Sequence, residues 1–135
     1  MWLVDTSVWV IIFRDKTGQA RTAFEAVVGE NSVCLSRFSQ MELLQGCRDE
    51  AEWNRLNTYL EDQDYAEITS HTWIGAARLY YELRRQGLTV RSAIDCCIAQ
   101  LALDYQLTLL HCDRDFDVIQ QIRPLQTAYF PQLSA

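Results

Sequence analysis

The chain has 135 residues, of which 49% are hydrophobic and 22% charged, a composition that indicates one globular domain over 1–135 and excludes a disordered chain. Its net charge of −6 argues against a protein that holds nucleic acid by a broad basic surface, but does not exclude a nuclease whose site is acidic and gathers metal ions. No apolar run reaches the roughly 20 residues that cross a bilayer, and no basic signal-peptide region opens the chain, so we expect a cytoplasmic protein. The five cysteines include no CxxC pair, which favours reduced thiols over a zinc site.

The first ten residues are organised around Asp5. Residues 2–4 form a short apolar run without alternation, which predicts a strand buried on both faces of a parallel sheet. Thr6 and Ser7 favour a helix start, and apolar residues follow at helical spacing from Val8. Asp5 is therefore predicted at the carboxyl end of a buried strand, where open α/β sheets place their ligands.

Short strands alternate with helices along the rest of the chain. The patterns predict helices at 22–28, 39–47, 49–60, 70–86, 92–105 and 118–122, and strands at 32–35, 66–68, 107–111 and 127–130. This alternation is typical of right-handed βαβ units. We expect an α/β fold with a central, mostly parallel sheet of four to five strands and helices on both faces.

Four acids occupy positions that such a sheet brings together: Asp5, Glu42, Asp95 and Asp113. Each has an ordinary structural explanation when taken alone. Asp5 is a good helix cap, Glu42 has capping-box spacing to Ser39, Asp95 belongs to a first helical turn, and Asp113 lies in a turn. Asp5 and Asp95 border the predicted core, however, where an unpaired charge costs several kcal/mol. A hard divalent cation such as Mg²⁺ or Mn²⁺ would satisfy them and would suit phosphoryl chemistry.

These motifs make the chain similar to PIN-domain ribonucleases, and in particular to the compact VapC-type toxins of bacterial toxin–antitoxin pairs. The resemblance rests on residues 3–9 (LVDTSVW), 42–46 (ELLQG), 95–99 (DCCIA) and 110–116 (LHCDRDF), which follow the family's order. It spans nearly the whole chain and implies a PIN-like three-layer α/β/α fold.

The resemblance also implies a site and a reaction. Asp5, Glu42, Asp95 and Asp113 would form an acidic pocket in which Asp5, Asp95 and Asp113 hold Mg²⁺ or Mn²⁺. Metal-activated water would hydrolyse an RNA phosphodiester, leaving a 5′ phosphate and a 3′ hydroxyl. Supporting roles fall to Thr6, Ser7, Asp115 and Asp117. The fourth acid stays open among Asp113, Asp115 and Asp117, and we interpret Asp115 as the cap of the helix anchored by Phe116.

The same resemblance implies macromolecular partners. Beyond the RNA substrate, it implies a homodimer and a small VapB-type antitoxin whose C-terminal segment lies across the pocket. We expect the helices at 22–28 and 39–60 to form the groove and dimer surfaces. The arginines expected to contact RNA are Arg84, Arg85, Arg91 and Arg114.

Other functions remain open from the sequence. A housekeeping RNA-processing nuclease without an antitoxin would need the same acids, and a non-catalytic PIN-like RNA-binding module would need only the fold. A haloacid-dehalogenase-type phosphohydrolase is disfavoured because Ser7 stands where a second Asp is required and Lys16 is the only lysine. Covalent catalysis by Ser7 is disfavoured because no histidine is near it in the sequence.

Overall fold

The structure is a computed structural model and describes residues 1–130 of the chain. Four parallel strands form the centre of this part. The strands are β1 (Trp2–Val4), β2 (Val33–Cys34), β3 (Thr108–His111) and β4 (Thr127–Tyr129), in the order β2-β1-β3-β4. The helices are α1 (Thr6–Arg14), α2 (Gln19–Val28), α3 (Arg37–Gln45), α4 (Glu50–Glu61), α5 (Ser70–Arg85), α6 (Ala93–Asp104) and α7 (Asp115–Gln120). Within these residues no helix is both long and apolar enough to span a membrane.

The two faces of the sheet carry separate apolar cores. Successive strand residues point to opposite faces, so Leu3 and Leu109 pack with α5, α6 and α7, whereas Val4 and Leu110 pack with the first four helices. All four of these side chains are at most 1% exposed. The predicted three-layer α/β/α architecture with a parallel sheet is therefore confirmed.

The strand predicted at 66–68 is wrong. Leu35 and Tyr65 instead form an isolated bridge, held by hydrogen bonds from Leu35 N to Asp64 O and from Ala66 N to Leu35 O, both 2.9 Å long. The chain then turns away from the sheet edge, because Thr69 caps the start of α5. One bridge leaves too little backbone pairing for a strand.

Two predicted helix starts also need correction. α3 begins at Arg37, with Ser36 as its cap accepting the Ser39 N–H at 3.1 Å, so Glu42 belongs to the helix interior and not to a capping box with Ser39. Asp115 is the first residue of α7 and not its cap, because Arg114 occupies the cap position. The Asp115 N–H is instead accepted at 3.0 Å by the side chain of Asp113.

The parallel arrangement brings the ends of β1 and β3 to the same edge of the sheet. Their register pairs Val4 with Leu110, and the Asp5 N–H continues the pairing by donating to Leu110 O at 3.0 Å. The residues that follow each strand, Asp5 on one side and Cys112 on the other, are therefore neighbours. This edge contains the candidate site.

Replacing Leu110 with alanine should lower the free energy of unfolding by about 2–5 kcal/mol, because the side chain is fully buried between the sheet and the first four helices. The control is Ile74→Ala, which truncates an aliphatic side chain that is 71% exposed and should cost far less. Urea denaturation of both variants measures the difference. Equal losses would contradict this description of the core.

Candidate functional site

A pocket of about 340 Å³ opens at the carboxyl edge of the sheet. Four carboxylates reach it from four different places in the chain: the end of β1, α3, the first turn of α6 and the loop after β3. Its lining consists of Asp5, Thr6, Ser7, Val10, Ile11, Glu42, Asp95, Cys112 and Asp113. The structure thus brings together the four acids that the sequence singled out.

Asp5 is the most deeply buried of these acids, with 5% of its surface exposed. As the cap of α1, it accepts hydrogen bonds from Ser7 N at 3.0 Å and Ser7 Oγ at 2.6 Å. Ser7 Oγ in turn accepts the Cys112 N–H at 2.9 Å. Ser7 therefore fixes Asp5 against the loop after β3, so its hydroxyl has a positioning role and is not poised as a nucleophile.

Glu42 is held by a pair of hydroxyls between α1 and α3. Thr6 Oγ1 donates to Glu42 Oε1 at 2.9 Å and lies 2.8 Å from Ser39 Oγ. Ser39 is 1% exposed, and Ser36 caps the same helix. The sequence predicts Ser39 only as a helix start and not as a neighbour of the pocket. The packing of α3 against α1, which no local pattern encodes, places it beside Thr6.

A second group of acids adjoins the pocket. Asp95, Asp113 and Asp115 each offer an oxygen, and these atoms all lie within 4.8 Å of one another. Asp113 lines the pocket, whereas Asp115 approaches Asp113 and Asp95 from α7. Asp117 is exposed on α7 and does not line the pocket. Of the three candidates for the fourth acid, Asp113 is the one that lines the pocket.

Burial, reinforced by neighbouring carboxylates, raises the pKa values of two of these acids. Burial raises the pKa of Asp5 against the opposing hydrogen bonds from Ser7. Burial, a hydrogen bond with Asp115, and the charges of Asp113 and Asp5 raise the pKa of Asp95 to about 8. At neutral pH Asp95 therefore keeps a proton, which it donates to Asp115. The pocket carries more negative charge than its surroundings can balance.

Arg91 forms hydrogen bonds with two of the acids, Asp113 and Asp115. Its Nη2 donates to Asp113 Oδ2 at 2.7 Å, and its Nε and backbone N donate to Asp115 Oδ2 at 3.2 and 3.0 Å. Burial opposes a low pKa for Asp115, but these hydrogen bonds and the one with Asp95 outweigh it and lower that pKa. The sequence analysis assigned Arg91 to RNA and did not find this contact.

The other three predicted RNA-binding arginines lie at the surface. Arg114 is exposed directly after Asp113. Arg84 and Arg85 are exposed at the end of α5, where the Arg84 guanidinium lies 5.5 Å from the centre of the Tyr80 ring. RNA contact by these residues stays a prediction.

His111 positions the turn that carries Asp113, a role absent from the sequence analysis. Its Nδ1 accepts the Asp113 N–H at 3.1 Å, and its ring packs against Phe116 and Tyr129 with centroids 5.0 and 5.6 Å away. The residue is 1% exposed, and burial lowers its pKa. A neutral imidazole is therefore part of the scaffold beneath the pocket.

The chemistry of the donors fits a hard divalent cation. The polar side chains of the lining are carboxylates and hydroxyls apart from the Cys112 thiol, and oxygen ligands are those that Mg²⁺ and Mn²⁺ prefer. Burial and the neighbouring carboxylates both raise the pKa of Asp95, and a bound cation would offset both effects. Asp5, Asp95 and Asp113 are the residues that would hold such an ion.

Comparison with known proteins places this architecture in a family. The PIN domain family matches residues 2–121. Ribonuclease VapC11 of Mycobacterium tuberculosis is 34% identical over 133 residues, which cover 96% of this chain and 99% of that protein.

Solved structures agree with the fold. VapBC2 from Rickettsia felis, bound to a DNA fragment from its promoter, gives a TM-score of 0.78 at 18% identity and covers 96% of this chain and 98% of that one. DNA-bound VapBC from Salmonella typhimurium gives 0.74 at 19% identity, with the same coverage. The family match, the near-complete alignment with a VapC ribonuclease and the shared fold show that the chain belongs to the PIN domain family.

Proposed function

We propose that this protein is a metal-dependent endoribonuclease that acts as the toxin of a toxin–antitoxin pair. The observation that carries the proposal is the convergence of Asp5, Glu42, Asp95 and Asp113 on one pocket. The relative named as a ribonuclease, which aligns over almost its whole length, supports the same activity. RNA is the proposed substrate and Mg²⁺ or Mn²⁺ the proposed cofactor.

Each acid has a distinct task in this proposal. Asp5, oriented by Ser7, and Asp95 and Asp113 hold the ion through their carboxylate oxygens. Thr6 engages one oxygen of Glu42, and the other can accept a proton from the attacking water. When bound, the metal would lower the pKa of a water molecule and offset the charge that develops on the phosphate.

Positive charge for the RNA backbone has to come from a few side chains, because the protein carries a net charge of −6. Arg91 contacts Asp113, Arg114 follows it in the chain, and Arg84 and Arg85 are exposed at the end of α5. We propose that these four arginines contact phosphates on either side of the cut. The choice of RNA would then depend on shape and loop contacts.

The acidic pocket also suits a basic protein segment. Related folds include VapBC complexes, so we propose a small VapB-type antitoxin whose C-terminal segment places a cation among the acids. A homodimer in the cytoplasm is part of the same proposal. Met41 on α3 and Trp53 on α4 are 50% and 41% exposed and give these helices apolar surface for a partner.

Purified protein with Mn²⁺ or Mg²⁺ should cleave a mixed RNA pool. Asp5→Asn should reduce the cleavage rate by more than about 100-fold, because even residues that only support a metal ligand contribute about 10–100-fold to metal affinity or activity. Asparagine caps a helix as well as aspartate, so the variant should keep its fold. Sequencing of the new 5′ ends measures the reaction and names the cut.

The matched control is Asp62→Asn, which makes the same change at an exposed residue after α4. It should cleave like the wild type, and EDTA should stop both. Cleavage that survives EDTA or the Asp5 change would refute this site. A folded protein that binds RNA without cutting it would favour a binding module, and cleavage by a protein with no antitoxin beside it in the genome would favour a housekeeping nuclease.

Binding of Mn²⁺ without RNA should release protons. Asp95 holds a proton below a pKa of about 8 and must lose it to act as a ligand, so the apparent affinity should rise about tenfold per pH unit between pH 6 and 7.5. The rise should level off above the pKa. Isothermal titration calorimetry in buffers with different ionisation enthalpies counts the protons.

Asp95→Asn is the control variant for this titration, because its asparagine has no proton to release. Its weaker binding should depend less on pH than that of the wild type, whereas Asp62→Asn should reproduce the wild-type slope. A wild-type affinity that stays constant between pH 6 and 7.5 would contradict proton release from Asp95, and unchanged affinity in Asp95→Asn would show that Asp95 is not a ligand.

A further inference from the structure

The acid cluster has two halves that share Asp95 and Asp113. The inner half faces the pocket with Asp5 and Glu42. The outer half is completed by Asp115, whose oxygen lies within 4.8 Å of those of Asp95 and Asp113. Oxygen ligands around Mg²⁺ lie at about 2.0–2.1 Å, hence at most about 4.2 Å apart, so a small side-chain movement would let the outer half enclose a divalent ion.

Arg91 already supplies positive charge to this outer half. Its guanidinium bridges Asp113 and Asp115, and its backbone N–H also donates to Asp115. The backbone contact anchors the residue next to α7, and Arg91 directly precedes Ser92, the cap of the helix that carries Asp95. An isolated surface ion pair would contribute little, but this one joins two carboxylates that are only 16% and 13% exposed.

We propose that the Arg91 guanidinium is the cation of the outer half of the cluster and takes the place of a second divalent ion there. The protein then binds one divalent ion, at the inner half. The inference rests on the proposed metal-dependent function. Two of the five guanidinium N–H bonds engage the acids, and the side chain is 77% exposed, so the remaining donors face solvent. There they can meet a phosphate oxygen, as a second metal ion would.

The test counts Mn²⁺ ions bound per chain without RNA, from the loss of the free Mn²⁺ signal in electron paramagnetic resonance. The wild type should bind one ion. Arg91→Gln, which removes the charge, should bind two, and an exchange-coupled spectrum should report ions about 3.5–4 Å apart. Arg91→Lys keeps a positive charge and should bind one ion. Arg114→Gln, which removes the neighbouring exposed charge, should also bind one.

A double variant locates the second ion. Adding Asp115→Asn to Arg91→Gln removes an outer ligand and should return the count to one. Circular dichroism checks that each variant is folded. Arg91→Lys gives a second comparison with the wild type, in which the side chain changes less in shape.

The outcomes separate this inference from the function on which it rests. One ion in every variant, or two in the wild type, would overturn the role of Arg91 and leave the metal-dependent function standing. No ion in any variant would overturn both. Two ions in Arg91→Gln that persist when Asp115 is also changed would place the second ion elsewhere and refute the assignment.

Discussion

Negative charge held at the edge of an apolar core is the constraint on which the site depends. Parallel strands deliver Asp5 and Asp113 to the same edge, and α3 and α6 add Glu42 and Asp95. Burial and mutual repulsion raise the pKa values of Asp5 and Asp95, so the protein without a cation keeps at least one proton that it must later lose. Burying these ionised carboxylates costs folding free energy, which a bound cation would offset.

Short polar residues make this arrangement rigid. Ser7 joins the end of β1 to the loop after β3, and Thr6 joins α1 to α3 through Glu42. His111 holds the turn that carries Asp113. Several of these groups also begin a helix, as Asp5 does for α1, so local helix capping and the geometry of the site are the same set of hydrogen bonds. A change that removes one of these capping hydrogen bonds would therefore also loosen the helix that it begins.

The fold was predictable because its signals are local. Apolar runs ending in acids mark β1 and β3, and helical spacing marks α6, so the parallel topology alone brings Asp5 and Asp113 together. The strand prediction at 66–68 failed because the residues around an isolated bridge have the same preferences as those of a strand. The contacts of Arg91 could not be predicted for a different reason: they join it to Asp113 and Asp115, 22 and 24 positions away, and no local pattern encodes them.

The balance of charge at the pocket connects the metal, the substrate and the partner. Clustered carboxylates repel a phosphate unless a cation offsets them, and the chain as a whole adds to this repulsion with a net charge of −6. Arg91 offsets part of the charge from within the chain. A metal ion and a basic antitoxin segment would then compete for the negative charge that Arg91 leaves unpaired. Inhibition by such a segment would need no change in the shape of the enzyme, because occupying the cation position is sufficient.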